Sequence, residues 1–303
     1  MGEHLGAMSI ASAARALVVC LLIGGLGRSS VHESTFPSPQ AAADALITAI
    51  SYEDYSLFLA IAGQGMAPFW NSGDQLRDLI ERDRLRQAVR RISLHADKEN
   101  PDRVFVHLGN LEPFPAPLIR STKGWRFDTD AGALELDRRR IRRNEAAAVE
   151  LCHRFLEAQM DYYSRVGAFS LKIHSSAGSE DGLYWASNGF GGESHLGPRL
   201  AEAAFDETQK GEALPFLGYF FKVLSVPVFG RPEGNKPVQE IAIAAWPAQY
   251  QLSGKTTFVI DQRGAVYQRD LGVDTGRVMT GLKVFDANSG WAILTGTTTD
   301  DSN

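Results

Sequence analysis

Asn144-Glu-Ala-Ala-Ala-Val-Glu-Leu-Cys-His-Arg-Phe-Leu-Glu-Ala-Gln-Met-Asp-Tyr-Tyr163 is the stretch on which the fold turns. Ala148, Val149, Cys152, Leu156, Met160 and Tyr163 recur at helical spacing and make an apolar stripe, while Glu150, Arg154, Glu157 and Asp161 make the wet side. Glu150 and Arg154 stand four apart in the order that supports a helix. A helix with one apolar face needs a surface to cover, and the downstream sequence supplies it. Gly218-Tyr-Phe-Phe-Lys-Val-Leu224, Ile241-Ala-Ile-Ala-Ala-Trp246, Thr256-Thr-Phe-Val-Ile260 and Ala265-Val-Tyr-Gln-Arg269 read as four strands. Asp261-Gln-Arg-Gly264 joins the last two, with glycine where a left-handed residue is wanted. One long helix on a four-stranded antiparallel sheet is therefore expected over residues 137–285.

Immediately before this helix stands Arg138-Arg-Arg-Ile-Arg-Arg143. Such a run can read as a nucleic-acid patch, but the 303-residue chain carries a net charge of −5, which gives a polyanionic partner no global support. The run reads instead as a solvated linker and helix start. Positive charge opposes the dipole at a helix N-terminus, so the stretch requires an acidic neighbour or a helix that extends backwards.

Further upstream, residues 34–136 read as helices followed by strands. Ser38-Pro39 opens a helix carrying Ala43, Leu46, Ile47 and Ile50. A second carries Tyr55, Phe58, Leu59 and Ala62. A third starts at the capping-box spacing Ser72-Gly-Asp-Gln75, with Leu76, Leu79 and Ile80 as its apolar side. Val104-Phe-Val-His-Leu108 reads as a strand, and Pro117–Thr122 pairs with Trp125–Asp128 around a turn at Lys123-Gly124.

The two ends of the chain carry less. Ala16–Leu26 is an apolar run of eleven residues behind Arg15, too short for the ~20 residues that span a bilayer and laid out like a secretory signal peptide over residues 1–30. No later stretch is of transmembrane length, and residues 286–303 form a C-terminal tail. The expected location is the periplasm or cell envelope. Cys20 lies inside the apolar run behind Val19 rather than behind a small residue, which argues against a lipid anchor. Cys152 is then the one remaining cysteine, and its place on the apolar stripe makes it a core residue rather than a reactive thiol.

Chemistry-bearing residues are scattered. No Gly-x-Ser-x-Gly, His-Glu-x-x-His or Cys/His arrangement occurs. Asp44 on a helix and His107 on a strand are the candidate acid–base groups of the first domain. Their ordinary alternatives are the exposed side of a helix and the wet face of a strand. His153 and Glu157 form an i, i+4 pair that suits a metal or an ordinary helix surface. Trp185 and Trp246 suit stacking on a sugar or peptide, or packing in the sheet domain. Gly189-Phe-Gly-Gly192 lacks the strand and Lys-Ser/Thr of a phosphate loop. No cofactor is expected.

Helices followed by antiparallel strands that end in Gly124-Trp-Arg-Phe127 resemble a nuclear transport factor 2-like cone, whose sheet wraps helices around a pocket. The Asn144 helix with the sheet ending Phe258-Val-Ile-Asp-Gln-Arg-Gly-Ala-Val-Tyr267 resembles the globular half of a type IV pilin or type II pseudopilin. Filament subunits begin with a continuous apolar helix carrying an early glutamate. Here arginines and an extra domain come first, so the resemblance implies the fold and not a filament. Over the mature chain, Phe36-Pro-Ser-Pro-Gln-Ala-Ala42, Gly124-Trp-Arg-Phe-Asp-Thr129, Arg142-Arg-Asn-Glu145, Asp181-Gly-Leu-Tyr-Trp185, Leu196-Gly-Pro198, Gly218-Tyr-Phe-Phe221 and Ala245-Trp-Pro-Ala-Gln-Tyr250 are similar to an uncharacterised bacterial envelope family of unknown function (DUF 2950). That family implies no activity, cofactor or catalytic residue. The expectation is thus a two-domain α+β protein, cone-like then pilin-like, exported to the envelope. It acts there as a non-enzymatic module that binds a protein or glycan. The alternative is a small-molecule hydrolase or isomerase working in a pocket of the first domain.

Overall fold

A computed structural model describes residues 34–71, 75–185, 194–205, 213–227 and 240–295, without the side chains of 75–77. The expected signal peptide, the Ser72 capping box and the glycines 189–192 lie outside the described residues. Four helices come first: α1 (Pro39–Ser51), α2 (Tyr55–Ala62), α3 (Ala67–Trp70) and α4 (Gln75–Ala88). Ser38 caps α1 by accepting from the Ala41 amide, and Asp54 caps α2 by accepting from the Leu57 amide. The strands β1 (Ile92–Ala96), β2 (Arg103–Leu108), β3 (Leu118–Ser121) and β4 (Gly124–Phe127) form an antiparallel sheet in sequence order. Its inner face and α1–α3 enclose a core of Leu46, Phe58, Met66, Phe114 and Phe127.

The short helix α3 is not among the elements expected from the sequence, and two further details of this lobe differ from expectation. Ile92–Ala96 is a strand that the sequence left unassigned, because its half-exposed pattern carries little hydrophobic contrast. On α4, Leu79 and Ile80 are exposed while Asp78, Leu85 and Val89 are buried. The helix turns inward the face of Asp78, Arg82, Leu85 and the following Val89, spaced four, three and four, so Leu79 and Ile80 face away from the core.

The long helix α5 runs unbroken from Thr129 to Val166. Asp128 caps its start by accepting from the Ala131 amide, and Gly167 ends it in the left-handed region. The arginine run therefore sits inside the helix rather than at its head, and acidic neighbours on the turns around it resolve the expected dipole conflict. Near the N-terminal end Gly132 passes so close to the first lobe that a Cβ there would lie 2.5 Å from Met66 Sδ and 2.7 Å from the Ala116 Cβ. Further along, Asn144 donates to the Ser253 carbonyl, and Glu145 accepts from the amides of Lys255 and Thr256.

The C-terminal half of α5 covers the second sheet, as expected, with the inward face turned aside toward the end of the helix. Ala148, Cys152 and Leu156 are buried as expected, together with Phe155, Gln159 and Tyr162, whereas Met160 and Tyr163 are exposed. Steps of four residues drift about 40° around a helix, while alternating steps of four and three stay on one side. The expected stripe takes successive steps of four from Cys152 to Leu156 to Met160 and so passes over the buried Gln159.

The second sheet holds β5 (Tyr219–Val226), β6 (Glu240–Pro247), β7 (Thr257–Asp261), β8 (Val266–Arg269) and β9 (Ala292–Ile293) in that order. It has five strands rather than four: the segment assigned to a tail returns, and Ile293 pairs with Tyr267. The β7–β8 turn closes as expected on Gly264 at φ 87°. Phe155 of α5 meets Phe221 at 5.6 Å on one face. The other face is covered by α7 (Thr275–Gly281) and Phe285, which bury Trp246 and Met279. The short helix α6 (Pro198–Glu202) lies at the α5 side, with Leu200 and Ala201 buried. The fold class is α+β, with two antiparallel sheets joined by one shared helix.

Candidate functional site

A cavity of about 330 Å³ opens where α3, α4, the segment after β2 and the first half of α5 meet. Its apolar wall is built from Phe69 and Trp70 of α3, Leu85 of α4, Leu108 and Leu111, and Leu136 of α5. The wall is rigid. Trp70 packs on Phe58 at 4.9 Å between ring centroids, and Phe69 meets Phe114 edge-on at 5.1 Å.

The rim is charged and comes from helix positions that a solvent-facing reading would leave empty. Arg139, with a side chain only 12 % exposed, donates through Nε to Glu135 at 2.9 Å and lies 2.8 Å from Glu112. Its Nη2 donates to the Pro113 carbonyl at 2.8 Å. Arg142 reaches Glu112 at 3.1 Å. These contacts lock the arginine run onto the segment that follows β2. Asp78 also lines the cavity and is buried. Arg82 lines it too, half-buried, and has no hydrogen-bond or ion-pair partner among the described residues. A concave chamber with an apolar wall and a rim of both charge signs, on which the Arg82 guanidinium has no partner among the described residues, can hold an anionic group carried on an apolar body.

The expected acid–base groups lie elsewhere. Asp44 is on the exposed side of α1 and accepts from Gln40 Nε2 at 2.9 Å. His107 is on the outer face of β2, its ring 4.3 Å from that of His95. Burial, and after it the neighbouring His95, holds the His107 pKa below the ordinary histidine value. Among the described residues no contact joins Asp44 to His107, and neither lines this cavity. Sequence reasoning missed Arg82, Asp78 and Arg139. The available signal was the need for acidic neighbours around the arginine run.

The remaining candidates fall in the second lobe. Glu157 pairs with Arg154 at 3.1 Å, on the same exposed turn as His153. No group of three or more His, Cys, Asp or Glu that could hold a metal occurs among the described residues. Trp246 is 1 % exposed and packs on Phe205 at 5.1 Å, which leaves its ring no face for a ligand. Trp185 is half-buried and meets His195 edge-on at 5.1 Å. His195 contacts the Asp161 carboxylate through Nδ1 and sits beside an open groove that Arg154 and Arg199 also line. Cys152 is buried, and desolvation pushes its thiol pKa far up. No helix among the described residues is long and apolar enough to cross a membrane.

A model for a protein family of unknown function, DUF2950, matches residues 33–294, most of the chain. No curated protein and no solved structure matches it. The resemblance to pilins accordingly rests on element order alone.

Proposed function

We propose that this chain, which belongs to the DUF2950 family of unknown function, is an exported envelope protein that binds a small amphipathic anion in the cavity beneath α5. Such an anion can be free, or can be the acidic end of a peptide or glycan of the envelope. The location rests on the apolar run Ala16–Leu26 behind Arg15. The observation that carries the ligand reading is Arg82, an arginine without a partner among the described residues, on the rim of an aromatic and aliphatic chamber. A volume of about 330 Å³ sits at the lower end of the roughly 300–1,000 Å³ of small-molecule sites. It suits a ligand of one or two rings.

Binding rather than turnover is the favoured reading because His107, the candidate base, lies on the outer sheet face, away from the chamber. The test uses anilinonaphthalene sulfonate, which joins apolar rings to one anionic group. The folded chain should enhance its fluorescence with one site. Arg82→Ala should weaken that site about tenfold, about 1.4 kcal/mol, and Leu136→Trp, which fills the chamber, should abolish it. Unchanged binding in both variants would refute the proposal.

A further inference from the structure

We propose that His95 and His107 form a binding site for a borderline divalent cation, of the class of Zn²⁺, Cu²⁺ or Ni²⁺, on the outer face of the first sheet. The two residues occupy neighbouring antiparallel strands, with His107 opposite Ser93 and His95 opposite Phe105. Val104, Val106 and Leu108 point into the core. The alternation of a strand therefore turns Phe105 and His107 outward, with His95 on the same side. Diagonal cross-strand neighbours lie within reach of long or aromatic side chains. Here the rings approach to 4.3 Å between centroids, with their planes 50° apart.

This arrangement is unusual for what it omits. Two imidazoles stand side by side with no carboxylate bonded to either among the described residues, so neither is held as a cation by an ion pair. The one hydrogen bond to either ring in the described structure joins Ser93 Oγ to His95 Nε2, at 3.0 Å. Among the described residues, His95 Nδ1 and both nitrogens of His107 have no hydrogen-bond partner. Asp97, the next residue of this face beyond β1, is engaged by Arg103 at 3.5 Å.

Neutral imidazole is the form that ligates, and a metal replaces the proton it would otherwise carry. Burial and the neighbouring ring already disfavour that proton on His107. Nitrogen donors at about 2.0–2.1 Å suit zinc, copper and nickel, whereas calcium and magnesium want oxygen. Two protein donors leave open coordination positions for water or for a donor group on a bound molecule. Neither histidine lines the α5 cavity, so the site stands or falls independently of the ligand proposed there.

The test is calorimetric titration of the full chain, stripped with a chelator, with zinc chloride, cupric chloride or nickel chloride. One equivalent should bind, and calcium should not. His95→Ala and His107→Ala should each weaken binding at least tenfold, while His153→Ala leaves it unchanged. Should either alanine variant fold poorly, the wild-type chain answers by NMR: zinc should shift the His95 and His107 ring resonances together. Absence of binding at hundred-micromolar metal, binding that survives both substitutions, or shifts confined to other histidines would overturn the site.

Discussion

Gln159 and Ser170 exchange two hydrogen bonds in the interior of the second lobe: Gln159 Nε2 donates to the Ser170 carbonyl at 2.6 Å, and the Ser170 amide donates to Gln159 Oε1 at 3.0 Å. Gln159 is fully buried and Ser170 nearly so. The pair ties the chain that leaves α5 back onto the helix, and it explains how a polar side chain holds a core position there. Replacing Gln159 with Leu keeps the volume but orphans a buried amide and a buried carbonyl. The expected cost is about 1–3 kcal/mol, read as a fall in the urea midpoint. A midpoint equal to wild type would show the pair to be dispensable.

Gly132 is required by proximity. A methyl group there meets Met66 Sδ and Ala116 at distances that real carbon atoms do not tolerate. The Met66 side chain can turn aside, but the Ala116 Cα at 3.1 Å is backbone. Gly132→Ala should destabilise by about 1–3 kcal/mol through overpacking, although alanine favours an isolated helix. A gain in thermal midpoint would mean that α5 and the first lobe can separate freely.

Cys152 should be inert while the protein is folded. Its sulfur is buried in the seam between α5 and the second sheet, and desolvation raises its pKa. In a Cys20→Ser background, Ellman's reagent at pH 8 should label no thiol in native buffer and one in denaturant. Rapid native labelling would contradict the packing of α5 on the sheet.

The His95–His107 contact makes stability depend on pH with a definite sign. The folded chain holds the His107 pKa below its ordinary value of 6.5, so the unfolded chain takes up the proton more readily. Stability should be undiminished above about pH 6.5 and should decline as pH falls through and below it. His95, the Arg103–Asp97 pair further along the same face, and Arg126, which the register brings to that face opposite Ile119, are other charged or titratable groups there. His107→Gln should flatten the decline in the urea midpoint between pH 7.5 and pH 5.5. Parallel profiles for variant and wild type would assign the effect elsewhere.

Much of the architecture was legible in periodicity. The α1 and α2 helices, the β3–β4 hairpin, the strands β5 to β8 and the burial of Cys152 all follow from spacing and turn residues. The misreadings share a physical cause. Where polar side chains are satisfied inside the molecule, as at Gln159 or Arg139, apolar counting assigns them to solvent and rotates or shortens the helix. Where a strand borrows its order from a neighbour, as Ile92–Ala96 and Ala292–Ile293 do, local sequence carries little of the signal. The cavity under α5 was invisible for the same reason. Its lining comes from four separate stretches of chain, and its diagnostic residue, Arg82, looks like any charged position on a helix until its partners are counted.

The most direct test of the cavity reading is a crystal structure of the folded chain soaked with anilinonaphthalene sulfonate. The account predicts ring density between Trp70 and Leu136, with the sulfonate on the Arg82 guanidinium. Density in the groove beside His195, with the α5 cavity empty, would contradict it.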